Sequence, residues 1–331
     1  MPIVRTTGGR SFDASEGESL LEAALRANIT LPYSCKTGRC GTCKGHVHSG
    51  STIAMHDESG LSSVERTTGW ILTCVRSVQT DVEIAVDDLS DLKIFPAKTL
   101  PCRIQAMDRL SRSVVKVLLR LPPASNFEFF AGQYIDVIGH GGPRRSYSIA
   151  NAPSSEKTIE LHIGRVPGGV MSEYWFEESK INDLLRLSGP LGTFFLRDIE
   201  GLDVVFLATG TGIAPIKAML ENIAAYPPPL RPRSIALFWG GRMLEDIYWD
   251  PNTVALDYRF VPVLSRPDVG WNGARGYVQQ AFLATAAEFD RTVVYACGLE
   301  AMIHDARKQL IECGLNERCF FSDAFVCSAS T

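Results

Sequence analysis

Cys35, Cys40 and Cys43 lie in the stretch LPYSCKTGRCGTCKGHVHSG and Cys74 follows in ILTCVRS, giving the spacing C-x4-C-x2-C-x30-C. Thiolates are soft ligands, and this spacing suits a 2Fe-2S cluster, a centre that exchanges one electron at a time. Three ligands so close in sequence need a loop that wraps the metal. Gly38 and Gly41 between them let backbone N–H groups turn toward the sulfurs with no side chain in the way. Cys74 then closes the cage from a separate strand. Four cysteinates also suit tetrahedral zinc, but zinc loops usually pair their ligands as two C-x2-C units. His46 and His48 alternate beside the loop; since the four cysteines already fill the ligand positions, they read as surface or packing residues.

A second pattern is Arg145-Ser146-Tyr147-Ser148. Alternation along a strand puts Arg145 and Tyr147 on one face, and a guanidinium beside a phenol suits a ligand with a phosphate and a flat ring, as in a flavin nucleotide. A half-buried strand with a surface arginine reads the same way. Downstream, Gly168, Gly169 and Ser172 precede the apparent helix MSEYWFEE, whose first N–H groups and the Ser172 hydroxyl suit a pyrophosphate. His162 in LHIGR is either an adenine contact or, more simply, a histidine of the strand core.

The third pattern is a phosphate turn. VVFLATG runs into Thr211-Gly212-Ile213-Ala214-Pro215: a strand, a tight glycine turn, and a helix whose first position Pro215 would take. Proline replaces the third glycine of G-x-G-x-x-G, so an ordinary turn between strand and helix is the alternative. A dinucleotide would lie at the carboxyl ends of parallel strands, where Gly240 and Arg242 after SIALFWGG and Cys297 and Gly298 after TVVYACG also emerge. Arg242 followed by Glu245 and Asp246 leaves the choice between a free ribose and a 2′-phosphate open on the residues alone. Asp323 and Glu317 could relay a proton in principle but read more simply as solvated loop acids.

Positioning these groups takes three modules. In a chain of 331 residues with net charge -4, short strands and a helix over 18–27, opened by a Ser15/Glu18 capping box, frame the cysteine loop in residues 1–92. KIFPAKTLP reads as a linker over residues 93–100. Short β-type runs such as SVVKVLLRL and QYIDVIG make residues 101–199 an antiparallel barrel, and strand–helix alternation makes residues 200–331 a parallel α/β sheet. The charge leaves no basic footprint for nucleic acid, and no apolar run is long enough for membrane insertion. Nine cysteines, an odd number, with no signal peptide before Ile3, point to a reducing, cytoplasmic setting. Cys102, Cys313, Cys319 and Cys327 read as small buried or partly buried apolar residues.

The order of cluster, R-S-Y-S strand, G-T-G-I-A-P turn and C-G-L-E-A-M segment resembles the ferredoxin-NADP reductase superfamily, in the branch with a plant-type ferredoxin fused at the amino end. The resemblance covers essentially the whole chain. Within it, AGQYID, RRSYSIANAP, GPLGTFF and FFSDAFV look most like the CDP-6-deoxy-3,4-glucoseen reductases, and the reductase components of phenol, benzoate and methane oxygenases are similar in layout. The resemblance implies a β-grasp ferredoxin domain, an antiparallel β-barrel for FAD and a parallel α/β domain for NAD(P).

By the same resemblance, Arg145 would bind an FAD phosphate, Tyr147 pack on the flavin, Ser148 approach its N5 edge, and Gly169 and Ser172 hold the pyrophosphate. Gly210, Thr211, Gly212 and Pro215 would meet the nicotinamide dinucleotide, Cys297 and Gly298 would lie by its ring, and Phe325 would cover the flavin. The expected donor is NADH, with NADPH the alternative. A hydride brings two electrons and the cluster takes one, so a flavin must stand between them. The implied partner is an electron-accepting protein, either a pyridoxamine-phosphate (PMP)-dependent sugar dehydrase or an oxygenase component. A non-catalytic zinc- and nucleotide-binding module is the competing reading from another class.

Overall fold

The computed structural model describes residues 1–92, 94–285 and 288–325. By internal contacts the chain divides into two compact units, one from Met1 to Phe95 and one from Pro96 onward.

In the first unit Ile3–Thr6 runs parallel to Val82–Ala85, which pairs antiparallel with Lys44–Ser49; Ser11–Asp13 and Trp70–Leu72 form the edges. This is a five-stranded mixed sheet of the β-grasp kind. Strict alternation carries it, with Val4, Val82 and Ile84 inward and Arg5 and Glu83 outward. The helix spans Leu20–Arg26, and its capping box is Ser19 with Glu22 rather than Ser15 with Glu18. Glu18 does accept the Ser15 N–H at 3.0 Å, but that local geometry starts no helix, and the carboxylate is held by Arg26 at 2.9 Å. What fixes the true start is burial: Leu20, Leu21, Ala23 and Ala24 form the stripe that packs on the sheet, and a fully buried leucine contributes about 1.5–3 kcal/mol.

The second unit begins with six antiparallel strands in the order Arg144–Ser148, Tyr134–Ile138, Leu184–Leu191, Lys98–Ser111, Val114–Arg120 and Thr158–Gly164. A bridge between Ile149 and Leu161 joins the two edges, closing the sheet into the expected barrel. Ile104, Val117, Leu119, Ile135, Val137 and Leu187 fill it. Residues 98–100, read from sequence as linker, are already strand, paired with residues 187–189. Pro101 within that strand concealed it, because proline removes a ladder donor.

A parallel sheet follows, ordered Ala274–Arg275, Arg259–Leu264, Ser234–Gly241, Asp203–Thr209, Thr292–Leu299 and Phe320–Phe325. The chain moves outward from Asp203–Thr209 and then returns to its other side. The switch point therefore falls between Asp203–Thr209 and Thr292–Leu299, where ligands of such sheets bind. Helix Ile213–Ala224 starts two residues before Pro215, which takes the third helical position; its missing N–H is one of those a helix start leaves unpaired anyway. Among the described residues no helix is long and apolar enough to cross a membrane.

Candidate functional site

The cysteine loop has no helix or strand between Ser34 and Cys43. Gly38 has φ 77°, and a Cβ there would lie 2.2 Å from the Asp57 carbonyl oxygen; Gly41 has φ 75°. Only glycine fits at Gly38, and its N–H donates to the Cys74 sulfur, while the Thr37 N–H donates to Cys35 Sγ at 3.4 Å. The thiols form two pairs. Cys43 and Cys74 have their sulfurs 3.2 Å apart, and Cys40 donates to Cys35. In each pair the accepting sulfur is pulled below the ordinary thiol range by the partner's hydrogen bond, Cys35 and Cys74, and the donor is pushed up, Cys40 and Cys43. Each iron of a 2Fe-2S centre takes two thiolates, so two pairs are the donor set the group requires.

Glu58, which the sequence did not flag, supports Cys74. Its buried carboxylate accepts the Leu72 N–H at 2.8 Å and pairs with Arg76 at 2.8 Å, bracketing the cysteine from both sides. No spacing rule finds such a residue, because its partners lie 14 and 18 positions away. His46 bonds the Thr68 carbonyl at 2.7 Å and meets Trp70 edge-on, a packing role.

On the barrel, Arg145 is exposed, Tyr147 half-buried and Ser148 buried, only 7 % exposed. Tyr147 accepts a hydrogen bond from Trp175 Nε1 at 2.9 Å and packs against the barrel core, so its ring is fixed in place; burial pushes its hydroxyl up to about 12. Gly169 caps the short helix Val170–Glu173, which widens into a π turn over Tyr174–Glu178. Ser172 Oγ accepts the Val166 N–H at 2.8 Å, leaving its own proton for a ligand.

At the carboxyl ends of the parallel strands lies a cleft of about 800 Å³ lined by, among others, Gly210, Thr211, Arg242, Arg266, Tyr248 and Phe325. Gly212, Pro215, Cys297 and Gly298 do not line it; Gly212, Cys297 and Gly298 pack together behind it, and Pro215 is buried in the helix that follows the turn. A Cβ on Gly212 would lie 2.2 Å from the Cys297 carbonyl oxygen, and one on Gly298, at φ 134°, would lie 2.2 Å from Thr209 Oγ1. The turn and the end of Thr292–Leu299 thus touch backbone to backbone, and Thr209 Oγ1 accepts the Leu299 N–H at 3.0 Å. The Cys297 thiol is fully buried in the core, and desolvation pushes it well above the usual thiol value. Asp246 accepts the Arg242 and Met243 N–H groups at 2.7 and 3.1 Å, so this acid folds its own loop.

Ser265, Arg266, Tyr277 and Gln279 also line the cleft and were missed. Applying the strand-end rule to RFVPVL, as it was applied to its neighbours, finds the first two. Gln279 is buried and donates to Asp305, while its Oε1 has no protein partner. A buried acceptor left bare costs about 1–3 kcal/mol, so a donor on a bound ligand would find a match there. Asp323 is buried on strand Phe320–Phe325, opposite Cys297 in register, and is not a solvated loop acid; Glu317 is exposed and pairs with Arg307. Cys102 is buried and Cys319 half-buried as read, Cys313 is exposed instead, and Cys327 lies outside the described residues.

Comparison with known proteins gives three consecutive matches. Residues 4–79 match the 2Fe-2S iron-sulfur cluster binding domain, residues 101–196 the oxidoreductase FAD-binding domain, and residues 206–308 the oxidoreductase NAD-binding domain. Together with the fold these define an NAD(P)H-dependent flavin and iron–sulfur oxidoreductase. The chain is 41% identical over 322 residues to the CDP-6-deoxy-L-threo-D-glycero-4-hexulose-3-dehydrase reductase of Yersinia pestis, covering 96% of each. It is 34% identical to the aromatic O-demethylase reductase subunit of Amycolatopsis, covering 92% of each. The crystal structure of an Amycolatopsis cytochrome P450 reductase superposes with TM-score 0.76 at 31% identity, covering 98% of this chain and 99% of that one. The chain belongs to the ferredoxin reductase family of electron-transfer reductases that carry 2Fe-2S, FAD and NAD domains in one polypeptide. The zinc-module reading falls with these matches.

Proposed function

We propose that this chain oxidises NADH and delivers single electrons to a pyridoxamine-phosphate-dependent dehydrase acting on a CDP-hexulose, as its CDP-6-deoxy-3,4-glucoseen reductase. The observation that carries this reading is identity: 41% to the Yersinia dehydrase reductase, against 30 to 34% for oxygenase and demethylase reductase components of comparable coverage. Reduction of an oxygenase component is the second reading, supported by the likeness to the P450 reductase.

Cys35, Cys40, Cys43 and Cys74 hold the cluster, with the Gly38 and Thr37 N–H groups stabilising two of the sulfurs. Arg145 binds an FAD phosphate, Gly169 and the Ser172 hydroxyl hold the pyrophosphate, Tyr147 packs on the ring and Ser148 orients its N5 edge. Gly210 and Thr211 meet the dinucleotide, Gly212, Pro215, Cys297 and Gly298 set the depth of the wall, and Phe325 covers the ring. FAD, when bound, takes an electron pair as hydride and gives it up singly, the form a 2Fe-2S centre carries. The protein's contribution is alignment and the exclusion of water. Arg242 and Arg266 line the cleft beside Asp246, so NADPH is to be tested as donor beside NADH.

The test is coupled turnover with purified dehydrase and oxygenase partners. Product formation with the dehydrase and CDP-hexulose alone supports the proposal, and turnover only with an oxygenase component overturns it.

A further inference from the structure

We infer that Glu160, His162, Lys217 and Tyr248 form a buried polar clamp that fixes the flavin-side strand against the dinucleotide turn, making His162 and Tyr248 positioning residues for hydride transfer. The inference rests on the FAD and dinucleotide sites proposed above.

Lys217 lies on helix Ile213–Ala224, which starts at the glycine turn, and is only 8 % exposed. A buried ammonium is tolerated only when paired and hydrogen-bonded. Its Nζ donates to the Ala150 carbonyl at 2.9 Å and to Glu221 Oε1 at 2.6 Å, and lies 3.2 Å from Glu160 Oε1. Glu221 in turn accepts the Ala152 N–H at 2.9 Å. Ala150 and Ala152 lie two and four residues after Ser148, so the helix of the dinucleotide turn is tied to the chain just beyond R-S-Y-S.

The clamp continues on the other side. His162 Nε2 lies 2.8 Å from Glu160 Oε1 and His162 Nδ1 lies 3.2 Å from the Tyr248 hydroxyl. A carboxylate only accepts, so Nε2 carries the proton, Nδ1 is the acceptor, and Tyr248 donates to it. Burial pushes His162 below its ordinary value, keeping the ring neutral. Burial alone would raise Glu160, but the His162 hydrogen bond and the Lys217 charge hold it below the usual carboxylate range. The Tyr248 ring stands perpendicular to Trp239 at 5.1 Å, and Trp239 Nε1 donates to the Gly210 carbonyl at 3.0 Å. Tyr248 also lines the cleft. From Gly210 through Trp239, Tyr248, His162, Glu160 and Lys217 to Ala150, the two halves of the reaction site are connected by side chains alone.

Apolar residues of the same volume would fill this space at similar stability, but they would not fix a direction. Directed bonds set register, and register matters here because misplacing reacting atoms by about 1 Å can cost on the order of a hundredfold in rate.

Three variants test this, each compared with wild type. Tyr248→Phe removes one donor, His162→Leu removes both bonds, and His162→Gln can still donate to Glu160 and accept from Tyr248. In anaerobic stopped-flow mixing with NADH, Tyr248→Phe and His162→Leu are expected to slow flavin reduction about ten- to a hundredfold, with His162→Gln within about threefold of wild type. FAD content should hold, and the isotope effect with 4-deuterated NADH should rise. Independently of activity, ¹⁵N NMR should show His162 as the neutral Nε2–H tautomer at pH 7. Flavin reduction at the wild-type rate in Tyr248→Phe, slowing only in proportion to lost FAD, or a charged or Nδ1–H imidazole would overturn the clamp. If His162→Leu does not fold, Tyr248→Phe decides. Wild type that NADH fails to reduce would instead overturn the proposed function.

Discussion

In the cysteine loop Gly38 turns left-handed so that its N–H meets a sulfur, and no helix or strand holds the loop between Ser34 and Cys43. In the parallel sheet Gly212 and Gly298 serve another purpose: they let the turn after Asp203–Thr209 and the end of Thr292–Leu299 press together, backed by the buried Phe206, Tyr295 and Cys297. The first region is a loop wrapped around four thiols, outside any helix or strand. The second is a wall built by its own core. Substitutions in the two regions should therefore fail in different ways.

The largest separation is expected from Cys43→Ser, which should abolish cytochrome c reduction while NADH-driven ferricyanide reduction, served at the flavin, largely survives; equal loss of both would erase the division. Gly298→Ala adds a Cβ 2.2 Å from Thr209 Oγ1 at φ 134°, and should destabilise the second unit by about 3 kcal/mol and weaken NADH binding, with iron content unchanged. Thermal unfolding and iron assay read both parts. Gly38→Ala is the mirror experiment: a cost of about 2 kcal/mol confined to the loop should lower iron and labile sulfide while FAD stays bound. Arg145→Ala removes a charge-assisted bond to a phosphate and should weaken FAD retention about tenfold, read by flavin release on dilution. His48→Ala, on an exposed strand end, should change neither cofactor nor rate.

The cysteine spacing and the strand–turn–helix pattern were legible because short-range geometry dictates them: a metal fixes ligand separations, and a phosphate turn needs small residues in sequence. The β-barrel and parallel sheet followed from alternation and apolar runs. What escaped depends on distant partners. Ser15/Glu18 mimics a cap in local sequence, yet the buried face of Leu20 and Leu21 chose Ser19. Pro101 hid a strand whose partner, Arg186, lies far along the chain. Cys297 looked accessible at a strand end, but its side chain points into the core, and Asp323 looked solvated although it lies in register beside it. The His162–Tyr248 contact spans 86 residues and has no local signature at all.

In the proposed function, electrons enter as a pair at the carboxyl-terminal end of the chain and leave one at a time through the cysteine loop. Anaerobic addition of NADH to intact protein and to protein stripped of FAD, each monitored by electron paramagnetic resonance of the iron centre, tests it most directly. A reduced-cluster signal is expected in the intact protein, and none in the stripped one until FAD is restored. A cluster reduced by NADH without FAD would contradict it.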